Sequence, residues 1–182
     1  MAKNLIQNRD SRLPPTSIVV FGIVGVMVLV VTRMELRRLN PEDPIWEHYR
    51  TFKWWLLPHA IACGLTLLLG PVQFSQGFRR RYSRWHRRCG WIYVCGVLIG
   101  APLGLWIEYV KYRGGIGSLP MVVATSGFAG LFLGTTSVAL VLAIRRRFEA
   151  HRRWMIRSYA TAMIFLETRT VDELPWLTKI TD

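Results

Sequence analysis

Apolar residues lie along this chain in long blocks separated by clusters of arginine, not in the periodic stripes of a soluble amphipathic fold. Crossing about 30 Å of hydrocarbon as an α-helix takes about 20 residues. Four blocks approach or exceed that length, at 17–32, 54–74, 89–107 and 121–144. A fifth, 154–166, is shorter and holds Arg157. It crosses only by extending toward Arg169 with flanking side chains that snorkel. Block one is preceded by Lys3, Arg9 and Arg12 and followed by VTRMELRR instead of a small-residue cleavage site, so it is predicted to be an uncleaved anchor. The fold class is therefore all-α: a polytopic transmembrane helix bundle of four to five spans.

Breakers and small residues shape the spans. Gly70-Pro71 is expected to end or bend the second, and Pro102 to kink the third. Gly96, Gly100 and Gly104 recur every fourth residue, with Gly130 and Gly134 in the fourth span and Ala60 and Gly64 in the second. Such spacing lets helix backbones approach closely, which matters in lipid because helices there gain nothing from hydrophobic association.

Composition adds a charge to this picture. The 182 residues are 51% hydrophobic yet carry a formal charge of +13, with a mean hydropathy of +0.23. The loop after the second span holds Arg79, Arg80, Arg81, Arg84, Arg87 and Arg88 without an acid. The loop after the fourth holds Arg145, Arg146, Arg147, Arg152 and Arg153 against Glu149. Two crossings separate these loops, so they share a side, and the lysine and arginine bias makes it the cytoplasm. Such clusters fix topology and attract anionic lipid headgroups, and nucleic-acid binding is not expected. The resulting plan is a cytoplasmic segment (1–16), an anchor (17–32), an external loop (33–53), a membrane core (54–166) and a polar tail (167–182). Cys63, Cys89 and Cys95 form no CxxC pair, and no nucleotide-binding glycine loop, HExxH or GxSxG occurs. Enzyme activity is the least supported class.

The core repeats itself. RRRYSRWHRR (79–88) and RRRFEAHRRW (145–154) align with one gap, each following an apolar span and opening the next. A degenerate duplication of a two-helix unit would set His86 opposite His151 across an axis along the membrane normal.

The succession HAIACGLTLLLGPVQF, RWHRRCGWIYV and AHRRWMIRSYA resembles a bacterial family of multi-pass membrane proteins of the domain-of-unknown-function kind. The resemblance falls on His59, Gly64, Gly70, Pro71, Gln73 and Phe74, then on His86, Arg87, Gly90 and Tyr93. It continues on His151, Arg152, Trp154, Met155, Arg157, Ser158 and Tyr159. It implies a polytopic membrane protein with no established activity; the expected location is the bacterial inner membrane.

The histidines carry the candidate chemistry. His86 and His151, at one level of the bundle, are candidate axial ligands of haem b, with neighbouring arginines neutralising its propionates and Trp85, Trp91, Tyr93 and Trp154 as an apolar wall. The competing assignment is a headgroup-level anchor of histidine, arginine and tryptophan. A third candidate is a quinone-headgroup or lipid site at Arg157 and Tyr159, where a backbone carbonyl of the Gly70-Pro71 break or Gln73 would accept from Arg157. His59 is an ionisable group inside the second span and so a candidate by position, too distant to join the inner pair. The favoured function is an accessory or interaction subunit of a larger membrane complex. A small b-type electron-transfer protein is the alternative.

Overall fold

A computed structural model of the chain describes residues 15–37, 40, 42 and 52–172. The first 14 residues, His48 with most of the 33–53 loop, and residues 173–182 lie outside the described residues. Among those described the elements are six helices and no strand: α1 (Pro15–Arg37), α2 (Lys53–Phe74), α3 (Gln76–Arg81), α4 (Ser83–Arg113), α5 (Leu119–Ile144) and α6 (Phe148–Asp172). Helices α2, α4 and α5 are long and apolar enough to cross a membrane, and α1 contains a shorter apolar stretch at Gly22–Arg33. The fifth block is part of a 25-residue helix, about 37 Å long at 1.5 Å per residue, although α6 is not apolar enough to stand among those three.

The second span ends three residues past Gly70-Pro71, close to where it was expected to end, and neither Pro71 nor Pro102 itself interrupts its helix. Helix α2 runs on past Gly70-Pro71 to Phe74, and α4 continues through Pro102 to Arg113. The chain turns at capping residues instead. Ser75 accepts a hydrogen bond from the Phe78 amide at its Oγ (3.2 Å) and so opens the short helix α3. Helix α4 closes with Gly115 at φ +74, the amides of Gly115 and Ile116 reaching back to the carbonyls of Tyr112 and Lys111. This glycine-terminated C-cap confines the turn between α4 and α5 to 114–118 and leaves Glu108 inside the helix, buried at 6% exposure and 3.1 Å from Lys111. Helix α5 closes with the same hydrogen-bond pattern, Arg146 to Ala143 and Arg147 to Leu142, but a non-glycine residue, Arg146, takes the left-handed position at φ 57.

The helices form two antiparallel hairpins, α2–α4 and α5–α6, joined where α4 packs on α5. Between α2 and α4 the predicted glycine groove is filled. A side chain at Gly96 would run into Thr66 Oγ1 and lie 2.8 Å from the Ala62 carbonyl oxygen; at Gly100 it would meet Cys63 Sγ at 2.9 Å, and at Gly104 the His59 ring at 2.9 Å. The central core, Tyr93, Val97, Phe132, Ala139, Met155, Tyr159 and Ala162, draws on α4, α5 and α6. Helix α1 docks on this core rather than standing apart, with Val24 and Val28 buried against Leu166. It covers one flank of α6 and exposes Val19, Ile23, Val26 and Leu29 on its other side.

Candidate functional site

The Gly70-Pro71 pair builds a socket. Proline has no amide hydrogen, so the carbonyl four residues earlier, that of Leu67, has no donor within α2. Tyr159 of α6 supplies one, its hydroxyl donating to the Leu67 oxygen at 3.1 Å. Gly70 makes room, since any side chain there would collide with the Tyr159 ring. Phe74 then meets that ring edge-on, with centroids 5.5 Å apart. The carbonyl that the Gly70-Pro71 pair leaves without a donor is thus taken by Tyr159, not by Arg157. Arg157 projects from the exposed side of α6, its guanidinium 4.7 Å from the Trp154 ring centroid. The two residues grouped as one candidate site point to different faces of their helix.

A buried hydroxyl chain ties the hairpins together. Tyr93 of α4 and Ser158 of α6 share a hydrogen bond at 2.9 Å, and Ser158 shares another with Thr136 of α5 at 2.7 Å. All three side chains are essentially inaccessible. Tyr93 and Ser158 each stand seven residues after a histidine, His86 and His151. Positions that correspond in the repeated phrase therefore meet across the bundle, two turns deeper than the histidines.

The two histidines are held differently. His151 Nδ1–H donates to the Ala139 carbonyl at 2.8 Å, which fixes the tautomer and directs Nε2 away from α5. His86 Nδ1 is buried without a hydrogen-bond partner among the described residues. His86 stands three residues ahead of the apolar stretch that begins at Cys89. Burial is the main cause that lowers its pKa from 6.5, helped by the charges of Arg79, of His151 and of Arg87. Beside it Gln73, at the end of α2, lies over Gly90, one helical turn along the same face of α4. The Gln73 amide nitrogen is likewise buried and unpartnered.

His59 lies at the other end of the bundle. Its Nδ1–H donates to the Gly100 carbonyl at 2.8 Å and its ring covers Gly104. Eighteen residues of α4 from His86 to Gly104 correspond to about 27 Å. Of the aromatics expected to wall a haem, Tyr93 is buried and Trp154 half-buried, while Trp85 and Trp91 are 56% and 58% exposed and face outward. Arg79, Arg80, Arg81, Arg84, Arg145, Arg146, Arg147, Arg152 and Arg153 are all exposed at the same end. Thr136, Thr66 and the Gln73–Gly90 contact were missed by sequence reasoning; a polar residue inside an apolar span is the signal that could have found the threonines.

Along α5 the second glycine stripe is open. A side chain added at Gly127, Gly130 or Gly134 would meet nothing within 4 Å. With Leu131, Val138 and Trp154 these glycines line a groove of about 430 Å³ that neither His86 nor His151 borders.

No curated protein and no solved structure matches the chain. The family described as Predicted membrane protein (DUF2306) matches residues 56–179, which takes in α4, α5, α6 and nearly all of α2, the helices that build the socket and the hydroxyl chain. The chain belongs to that family of membrane proteins of unknown function.

Proposed function

We propose that the protein is an accessory subunit of a larger assembly in the bacterial inner membrane, taking a transmembrane helix of another subunit into the groove along α5. The observation that carries this reading is the open stripe of Gly127, Gly130 and Gly134. In α4 an equivalent stripe of small residues is filled by α2, and helix association in lipid depends on such close backbone approach. The groove has the same chemistry, and among the described residues no helix fills it. In this reading the N-terminus and both arginine corners face the cytoplasm, where the arginines meet anionic headgroups.

The test is extraction from native membranes in a mild detergent. The protein should migrate in a larger assembly at a fixed ratio to its partner. Gly130→Leu and Gly134→Leu should each release it while leaving its helical content unchanged. A protein that purifies alone counts against the proposal, and crosslinking of two copies through α5 would assign the groove to self-association.

A second reading, a small b-type haem protein, draws on one observation: the Nδ1–H of His151 is anchored on Ala139, as that of a ligating histidine is commonly anchored on a carbonyl. The outward-facing Trp85 and Trp91 weaken it. An absorbance spectrum with and without dithionite decides it, through a Soret band lost in both His86→Ala and His151→Ala.

A further inference from the structure

Two unpartnered buried nitrogens at the basic end point to a ligand. Gln73 Nε2 and His86 Nδ1 are both buried and both lack a hydrogen-bond partner among the described residues. Leaving a buried donor unpaired costs about 1–3 kcal/mol. Two such atoms occur on one face, because His86 and Gly90 are four residues apart on α4 and Gln73 lies over Gly90. Arg79 from α3, Arg87 from α4 and His151 from α6 all lie close enough to act on the His86 ring electrostatically. Among the described residues, neither arginine forms an ion pair. A neutral ligand would answer the two nitrogens, with His86 in its Nδ1–H tautomer, and leave the cations as they are. An anion with several acceptor oxygens answers both.

We propose that Gln73, Arg79, His86, Arg87 and His151 form a binding site for a phosphate group, carried either by free phosphate or by a lipid headgroup. Three or four oxygens on a tetrahedral centre suit donors drawn from the end of α2, from α3 and from the first turns of α4. A planar carboxylate has only two oxygens to offer. The first amides of α4 reinforce the preference. Tyr82 supplies no side-chain cap there, and the amides of a helix's first turn favour an anion. The site separates from the general attraction of the arginine corners for acidic membranes, since it depends on an uncharged residue, Gln73, and on one arginine more than its neighbours.

The test uses the full-length protein in neutral detergent and in nanodiscs. Inorganic phosphate, titrated at constant ionic strength against chloride, should raise the melting temperature. In the second arm, phosphatidic acid should be retained over phosphatidylcholine in native mass spectrometry. Protection by inorganic phosphate assigns the site to the free ion, and retention of phosphatidic acid alone assigns it to a lipid; either supports the proposal. Arg79→Gln and Gln73→Leu should each weaken binding about tenfold, the effect of losing one hydrogen bond to a charged group. Arg84→Gln removes the same charge from an exposed neighbour and should change binding less than twofold. Equal losses in Arg79→Gln and Arg84→Gln would overturn the proposal in favour of diffuse charge, as would failure of both probes. If Gln73→Leu does not fold, the two exposed arginine variants still decide. A Soret band that depends on His86 would also overturn it, because a haem iron and a phosphate would compete for that ring.

Discussion

The two hairpins share a repeated phrase and a stripe of glycines, yet use them differently. In the first hairpin the stripe is an internal contact: Gly96, Gly100 and Gly104 are pressed against Thr66, Cys63 and His59. In the second, Gly127, Gly130 and Gly134 face open space. A glycine in a helix interior costs up to about 1 kcal/mol relative to alanine, and in the first hairpin close packing offsets that cost. In the second no described residue does, so there the cost is not offset within the described bundle.

Substitution of these glycines should break or sharpen the contrast, and the largest effects belong to the filled stripe. Gly96→Val pushes into the Ala62 backbone, which cannot swing aside as a side-chain tip can. It should cost about 3 kcal/mol, the upper range for overpacking, read as a fall in the melting temperature of the detergent-solubilised protein. Gly130→Ala should instead stabilise the solubilised protein, by up to about 1 kcal/mol, because a methyl group there meets nothing and the helix loses a glycine. Equal losses at the two positions would show that the α5 stripe is already in contact and remove the basis for the groove.

The socket links the hairpins and should show an intermediate effect. Tyr159→Phe keeps the ring against Gly70 and Phe74 but strands the Leu67 carbonyl that Pro71 leaves without a donor. A loss of about 1 kcal/mol is expected. The double variant Pro71→Ala with Tyr159→Phe should recover much of it, because alanine restores the amide donor within α2. If the double variant is no more stable than Tyr159→Phe alone, Leu67 does not depend on Tyr159.

The two histidines differ as the two stripes do, one satisfied by a backbone carbonyl and the other not. His86 has a folded-state pKa below its unfolded value of 6.5. The unfolded chain therefore gains its proton first as pH falls, and stability should decline below about pH 6.5 until the folded protein protonates as well. One such group contributes a slope of at most about 1.4 kcal/mol per pH unit. His86→Gln should remove that part of the slope when melting temperatures are compared across mildly acidic pH. An unchanged slope would place the acid sensitivity elsewhere.

Much of the bundle was legible because the membrane makes hydrophobic length informative: 54–74, 89–107 and 121–144 fall within α2, α4 and α5. The glycine groove of α4 was legible for the same reason, since small residues every four positions lie on one helix face. Which groove would be filled was not, because spacing is identical whether or not a partner helix belongs to the same chain. Arg157 and Tyr159 are two residues apart, about 200° around a helix, so their separation onto different faces was available from geometry alone. Glu108, one residue past the apolar block that ends at 107, lies within α4, where its Lys111 partner one turn along lets the helix keep an acid that is costly in a span.

The smallest expected effect concerns the second corner, where the repeat departs from itself. The first phrase is relieved by an extra helix, α3, capped by Ser75. The second turns within three residues and forces Arg146 to φ 57. A left-handed conformation costs a residue with a Cβ about 1–2 kcal/mol, a penalty glycine escapes. At the matching position after α4 the chain uses glycine, Gly115 at φ +74, where an added side chain would meet nothing within 4 Å. Arg146→Gly should therefore stabilise the protein, by about 0.5–1 kcal/mol once the greater freedom of glycine in the unfolded chain is set against the relieved strain. Gly115→Ala should destabilise it by a similar amount, although the space there is open. Opposite signs at the two caps would show that backbone conformation governs both turns. A loss of stability in Arg146→Gly would mean that the arginine side chain contributes more at the membrane surface than its backbone conformation costs, and would make that corner a charge-driven turn.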